Sequence, residues 1–578
     1  MKIGSYDFCI TSDYDVKLEA TELKKDFLKL KIMVHLPVKC VPEPVRIEWL
    51  VSCCDIFSQW SPLFNTEHAL NPAWNPIVVK SRSAHSAPIQ AHISMGGMNK
   101  CTVALKDAKT PCEIRSGVYE ENASVLYKVI LFSERINAIT DYCTEIVIDT
   151  RNIPVCNMVR EVSKWWKECG YKSAYVPDSA KEPMYSTWYS YHQNITSKEL
   201  LNELQTAKSY GMESVIVDDG WQTKDNNRGY TYCGDWEAKR ITDMRSFVEK
   251  VHDIGMKYIM WYSVPFVGKY SKALERFSDM LLSWSDKGWG VLDPRYREVR
   301  EYLVSIYEKA VRDWDLDGLK LDFIDSFEMT ASSKYKDGMD FESLEDGICA
   351  LLSETKKRLM AIKPDIMIEF RQNYIGPVMS GYGNILRVAD CPNDALINRV
   401  CGINLRLTSG ACAVHSDMLM WNVKDSVESA ALQFVNVLFL VPQISVKLKE
   451  LPEGHKRMMR FYLGLWKQHK KCLLDGELSA YNPEANYSLV LSKTDAELIA
   501  ASYSDSVLNL NANYESVIFV NGTGKDSLIV SNNATSYMAG IKVYSCMGEI
   551  ITELEGEISR GLNLFKIPLS GLVEICAL

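Results

Sequence analysis

The chain has 578 residues, 47% hydrophobic and 24% charged, with 65 Lys and Arg against 74 Asp and Glu for a net charge of −9. That length exceeds one compact unit, so two to four domains are expected. The acidic balance and the lack of a dense basic run argue against nucleic-acid binding and favour a neutral or cationic ligand.

No stretch reaches the roughly 18 uninterrupted apolar residues of a membrane span, and "ALQFVNVLFLVPQISV" is broken by Gln and Pro, so no membrane partner is expected. The opening "MKIGSYDFCITSDYDVKLEA" has no basic segment leading into an apolar run, so no signal peptide is read. Seventeen cysteines form no C-x-x-C spacing, and Cys53 and Cys54 are vicinal. This pattern fits reduced thiols in a cytoplasmic protein rather than a disulfide framework or zinc ribbon. The nine histidines show no H-x-H or H-E-x-x-H spacing, which gives a structural zinc little support.

In chain order, residues 1–170 read as an N-terminal β-sandwich. "LKLKIMVHL" alternates, "RIEWLVSC" and "ASVLYKVILF" are β-rich, and "NPAWNP" and "SMGGMNK" are turn clusters between them. "CGYKSAYVPDSAKEP" reads as a linker. Residues 171–472 then alternate helix and strand. "TSKELLNELQTAKSYGM" carries Thr196 and Glu199 in capping-box spacing and Gly211 as a stop. "MRSFVEKVHDIG" and "REVREYLVSIYEKAVRDW" are further helices, the latter expected to start at Asp293 and Pro294 as cap and first turn. The buried strands are "YSTWYSY", "SVIVDDGW", "MKYIMWYSVP", "DGLKLDFI", "DIMIEF", "NILRVAD", "ACAVHSD" and "PQISVKL". Eight such units predict a central (β/α)8 TIM-type barrel within a multidomain α/β chain, with too few residues between strands five and six for a full helix. Residues 473–578 return to short strands and turns, predicting a C-terminal β-sandwich.

Chemistry in such a barrel gathers where the strands finish. Those ends bring Trp188 and Tyr189; Asp218, Asp219 and Trp221; Trp261; Lys320 and Asp322; Glu369 and Arg371; Arg387 and Asp390; His415 and Asp417. Any one Asp here could be a helix cap or solvated charge, and any one Trp plain core; together they describe a polar mouth. Lys320 shares a strand face with Asp322 and would keep it ionised, as a nucleophile or metal ligand requires. Asp390, in a different setting, would hold its proton longer and serve as general acid. Two such carboxyls suit a retaining glycosidase, with Trp faces for sugar C–H surfaces.

In order, "YSTWYSYH", "VDDGWQ", "YIMWYSVPF", "LDPRYREVREYL", "GLKLDFIDSF" and "RVAD" resemble glycoside hydrolase family 36, the α-galactosidase-like branch of clan D. The resemblance implies a β-sandwich, a (β/α)8 barrel and a second β-sandwich, no metal or organic cofactor, and double displacement with retention. It implies Asp322 as nucleophile and Asp390 as acid/base, with Asp394 as the other register. Asp218 and Asp219 would bind sugar hydroxyls, Trp261 would pack under the ring, Lys320 would reach a ring hydroxyl, Arg387 would orient the site and Tyr189 would line it. The expected activity is exo-acting hydrolysis of terminal α-galactosyl residues from oligosaccharides or glycosides.

Where relatives often carry a small, Cys/Gly-rich stretch, this chain has "EFRQNY". Glu369, Arg371 and Gln372 there leave α-N-acetylgalactosaminide, or another α-glycoside, open as substrate. Transfer to a sugar acceptor would use the same aspartates. A metal-dependent barrel of the isomerase or enolase type is the alternative from another class: Asp322, Glu369 and Asp390 would hold Mg²⁺ and Lys320 would be base. A sugar-binding protein without turnover is a third. Trp60 or Trp74 could reach the pocket from the first sandwich, and a homo-oligomer is compatible with everything read here.

Overall fold

The computed structural model describes residues 1–330 and 333–578. Two antiparallel sheets of six and five strands form the N-terminal region, and their alternating inward residues, such as Leu30, Ile32 and Val34 against Ile47 and Trp49, make its core. A seven-stranded and a three-stranded sheet form the C-terminal region around Leu498, Phe519 and Val530.

Between them lie eight parallel strands: Met184–Ser186, Ser214–Val217, Lys257–Ser263, Gly318–Asp322, Met367–Arg371, Ile385–Arg387, Ala413–His415 and Gln443–Ile444. The last pairs with the first, and bridges from His415 to Val441 and Leu419 to Ile444 bring the seventh to the eighth, nearly closing the barrel. Six fall inside the runs read as strands, and the other two overrun theirs by one residue, at Met184 and Arg371. Strands five and six are joined by a single short turn at Met379–Gly381, as their spacing predicted.

The strands alternate, so every second side chain points inward. Met184, Ile216, Ile259, Met367, Ile385 and Ala413 form an apolar layer at the floor. Gly318 keeps strand four close to strand five there, because a Cβ would stand 2.7 Å from the Met367 carbonyl oxygen. One step up, register sets Trp261 beside Lys320 and Lys320 beside Glu369; higher still, Arg371 lies beside Arg387 and Arg387 beside His415. The polar layers therefore sit above a dry floor, at the strands' C-terminal ends.

Two local expectations change. The helix Arg297–Trp314 matches the run read for it, but its cap is Tyr296 rather than Asp293 and Pro294 is not its first turn, because Asp293 instead pairs with the buried guanidinium of Arg295 at 2.7 Å. "YSTWYSY" is strand only to Ser186. Trp188 and Tyr189 lie on a one-turn helix, Trp188–Tyr191, which carries them over the mouth. By contrast Ser197–Ser209 begins as read, with Thr196 Oγ1 accepting from the Glu199 amide. Among the described residues no helix is long and apolar enough to cross a membrane.

Candidate active site

Asp322 closes strand four and is 5% exposed. Phe323 follows it at φ +64°, a left-handed conformation costly for a bulky side chain, and the turn aims the Phe323 amide back at Asp322 Oδ1, at 2.8 Å. Arg371 Nε and the Tyr374 hydroxyl also donate to Oδ1, at 2.7 and 2.9 Å. Oδ2 receives one hydrogen bond, from Trp261 Nε1 at 2.9 Å, with Lys320 Nζ farther off at 3.9 Å. Burial pushes the carboxyl's pKa up, but the charges of Arg371 and Lys320 and the indole hydrogen bond outweigh it and hold the group well below the usual carboxylate range. Asp322 is an ionised carboxylate with one saturated oxygen and one less encumbered.

The cation nearest Asp322 is thus Arg371, and Lys320 belongs chiefly to Asp218, at 2.6 Å. Asp219 accepts from Gln222 Nε2 at 2.7 Å and Gln193 Nε2 at 2.8 Å. Burial nevertheless pushes it up to about 6, with the Asp218 charge adding to the effect against those two amides.

Arg387 is the hub of the opposite wall. At 0% exposure it pairs with Asp417, reaches Asp390 Oδ1 at 2.8 Å and approaches Glu369 at 3.5 Å. Asp417 also accepts from the Tyr189 hydroxyl at 2.9 Å and the Cys391 amide at 2.7 Å, yet burial leaves it raised. Asp390, whose side chain is 51% exposed, behaves oppositely to the sequence expectation. Burial raises it, but Arg387 first and Lys320 next outweigh that and hold it below its ordinary value, so the free site carries it ionised. Its neighbour Asp394 caps the helix Ala395–Thr408 by accepting from the Ile397 amide at 2.9 Å.

Other expected residues sit behind the mouth. Trp221 is 0% exposed, packed against Trp236, Tyr262 and Trp314, and donates to the Trp261 carbonyl at 2.9 Å, so it backs Trp261 instead of presenting a face. Trp261 itself is 2% exposed and spends its N–H on Asp322. Glu369 lies at the barrel's centre, 1% exposed, taking Gln443 Nε2 at 2.5 Å; burial raises its pKa against Arg387 and Lys320. His415 donates Nε2–H to the Ala180 carbonyl at 2.7 Å, and burial pushes it down to about 4, which makes it a neutral structural group. Trp60 bonds Asn404 and Tyr487 at 2.8 and 2.9 Å, joining the three regions away from Asp322, and Trp74 is 76% exposed.

The first sandwich does reach the mouth by another route. Arg82 donates to the carbonyls of Phe327, at 2.8 Å, and Asp325, at 3.3 Å, on the loop after strand four. The Ser86 amide bonds the Asn373 carbonyl at 3.0 Å on the loop after strand five. Gly376, at φ +109°, allows that approach, since a Cβ would meet the Ser86 oxygen at 2.4 Å. Tyr374, Gln193, Gln222 and Arg82 are the contributors the sequence did not single out. Each lies on a loop, and only Tyr374, inside "EFRQNY", and Gln222, inside "VDDGWQ", stood in stretches already under scrutiny. Among the described residues no group of three or more His, Cys, Asp or Glu is placed to hold a metal ion, so Asp322, Glu369 and Asp390 do not form the ligand set of the metal-barrel alternative.

The Melibiase family model matches residues 145–370, from the last strand of the first sandwich to the strand that ends at Arg371. This stretch is similar to the Melibiase family. The fold is shared with solved structures. α-Galactosidase AgaA from Geobacillus stearothermophilus superposes with a TM-score of 0.64 at 13% identity, over 98% of this chain and 81% of that one. The galactosidase domain of AgaSK gives 0.64 at 13%, over 99% and 86%. Among curated relatives, the α-galactosidase Mel36A of Lactobacillus acidophilus is 25% identical over 158 residues, and AgaSK of Mediterraneibacter gnavus, described as a bifunctional α-galactosidase/sucrose kinase, 26% over 131. Those alignments cover 25% and 22% of this chain but only 20% and 13% of the relatives' own lengths. The matched stretch contains Asp218, Asp219, Trp261, Lys320 and Asp322; Asp390 and Arg387 lie beyond it.

Proposed function

We propose that the chain is a retaining, exo-acting α-glycosidase that removes terminal α-galactosyl residues, with Asp322 as nucleophile and Asp390 as acid/base. The observation that supports this is the asymmetric clamp on Asp322. Three donors fix Oδ1, while Oδ2 keeps a lone pair free to attack, in an environment that leaves the carboxylate fully ionised. In the first step Oδ2 bonds to the anomeric carbon as the glycosidic bond breaks, and Asp390 gives its proton to the departing oxygen. In the second, Asp390 takes a proton from water, which displaces Oδ2 and restores the enzyme.

Asp390 is ionised in the free site, so its acid role requires substrate to change its setting. A sugar seated over this half-exposed carboxyl removes its water and raises its pKa toward neutrality. Asp218 and Asp219, joined by Lys320, would hold hydroxyls of the terminal sugar, and Tyr189 and Arg371 would border it. Trp221, Trp261, Arg387 and Glu369 support these groups from behind. The proposed division of the chain is 1–170, 171–472 and 473–578, with the chemistry in the middle region. Seventeen unpaired cysteines favour a reducing, cytoplasmic setting.

The deciding assay is release of 4-nitrophenol from a panel of α- and β-glycosides. Turnover of the α-galactoside supports the proposal; preference for the α-N-acetylgalactosaminide would revise the glycone; silence across the panel, or activity abolished by a chelator, would overturn it.

A further inference from the structure

A cavity of about 570 Å³ lies outside the barrel mouth, between the helix Val155–Glu168, the segment that follows it, and the chain just before strands six and seven. Its lining includes Ser380, Gly410 and Ala411, which precede the strands Ile385–Arg387 and Ala413–His415. It therefore faces the N-terminal end of the barrel, opposite Asp322.

Five of its lining residues are cations, Arg160, Lys164, Lys167, Lys172 and Arg406, and none is acidic, in a chain whose net charge is −9. Two of the five have acidic partners outside the cavity: Arg160 lies 3.6 Å from Glu477 and Lys164 lies 3.9 Å from Glu168. Lys167 and Lys172 are exposed and, among the described residues, have no carboxylate within ion-pair distance.

Arg406 is the unusual member. Its guanidinium is held by the carbonyls of Phe439, Leu473 (3.0 Å) and Leu474 (2.8 Å), and among the described residues no carboxylate pairs with it. Asp475, the acid acting on it from a distance, is itself paired with Lys181 at 2.7 Å. Burial pushes Arg406 down to about 10. Arg406 is part-buried, and three carbonyl dipoles hold its guanidinium without supplying a counter-ion.

We propose that this cavity binds a small organic phosphate, its anionic group set against Arg406 and closed over by Lys167 and Lys172. The volume falls in the range of small-ligand sites. The part-buried ring of Tyr171 lines the cavity beside the cations and offers apolar surface to the carrier of the phosphate, with the buried indole of Trp166 packed behind. The site is independent of the chemistry at Asp322.

The test is calorimetric titration of the full chain, at fixed ionic strength, with pyrophosphate, glucose 6-phosphate and AMP, and glucose as uncharged control. The expected result is one site per chain for glucose 6-phosphate or AMP, weakened about tenfold or more in the Lys167→Ala/Lys172→Ala double variant, while binding of pyrophosphate alone would overturn the organic carrier. The tighter of the two organic phosphates identifies the carrier. Those two lysines are exposed, so the variant folds; Arg406→Gln, if it folds, should abolish binding. No heat with any phosphate, equal affinity in the double variant, or equal competition by sodium chloride at matched ionic strength would overturn the proposal.

Discussion

Replacing Arg387 by Met tests whether the buried wall of the site is held electrostatically. The side chain is 0% exposed and serves two carboxylates, Asp417 at 0% and Glu369 at 1%, besides the half-exposed Asp390. Removing one partner of a buried ion pair leaves an uncompensated charge, at a cost of about 3–5 kcal/mol. Asp417 and Glu369 already have carboxyls raised by burial, and without Arg387 they rise further. A carboxyl whose folded pKa exceeds its unfolded value adds stability that is full below the unfolded pKa and lost as pH rises through the folded one. The variant should therefore lose more stability at pH 7 than at pH 5, because both groups take up protons as pH falls. Urea unfolding followed by tryptophan fluorescence at the two pH values measures this. Adding Asp417→Asn should recover part of the loss at neutral pH and little at acid pH. A loss below about 1 kcal/mol at pH 7, or a loss independent of pH, would refute the reasoning.

Other outcomes follow from the same geometry. Asp322→Asn keeps the shape but removes the attacking oxyanion, so turnover should fall at least about a thousandfold while circular dichroism is unchanged; residual activity near wild type would remove Asp322 as nucleophile. Asp390→Gly should retain turnover of aryl glycosides with good leaving groups and lose that of alkyl glycosides, read from the slope of log kcat/KM against leaving-group pKa. Trp261→Phe deletes a hydrogen bond to a charged oxygen, at about 1.5–3 kcal/mol, and should lower kcat/KM roughly tenfold to a hundredfold. Asp219, raised from 3.8 to about 6, binds its proton more tightly folded than unfolded, so its contribution to stability declines by roughly 3 kcal/mol between those pH values. Asp219→Asn should flatten the fall in unfolding free energy over that window, and a curve that keeps the wild-type slope would assign the titration elsewhere.

The barrel was legible because each strand is an apolar run ending in polar residues, and the Gly–Met turns at Gly211 and Gly255 mark where a helix stops and a strand begins. Period-two alternation then puts Lys320 and Asp322 on one face without further information. What alternation does not give is depth. Trp221 and Trp261 stand at strand ends in the sequence, but only the packed neighbours Trp236 and Trp314 show that one indole is core and the other a hydrogen-bond donor. Nor does a strand end reveal which carboxyl keeps its proton: Arg387, three residues before Asp390, depresses it, whereas Asp417 and Glu369 around the same guanidinium remain raised because they are deeper. Tyr374, Gln193 and Arg82 come from loops with no periodicity, placed by contacts across more than one region of the chain.

The grip of Arg82 and Ser86 on the loops after strands four and five bears on how this molecule can be cut. A barrel excised from residues 171–472 would keep its strands and its aspartates. It would lose the carbonyl ties at Phe327, Asp325 and Asn373 that hold the chain on either side of Asp322's clamp. The first sandwich works as a buttress from outside the ring, and a trimmed enzyme would be a frame whose keystone residues are free to drift.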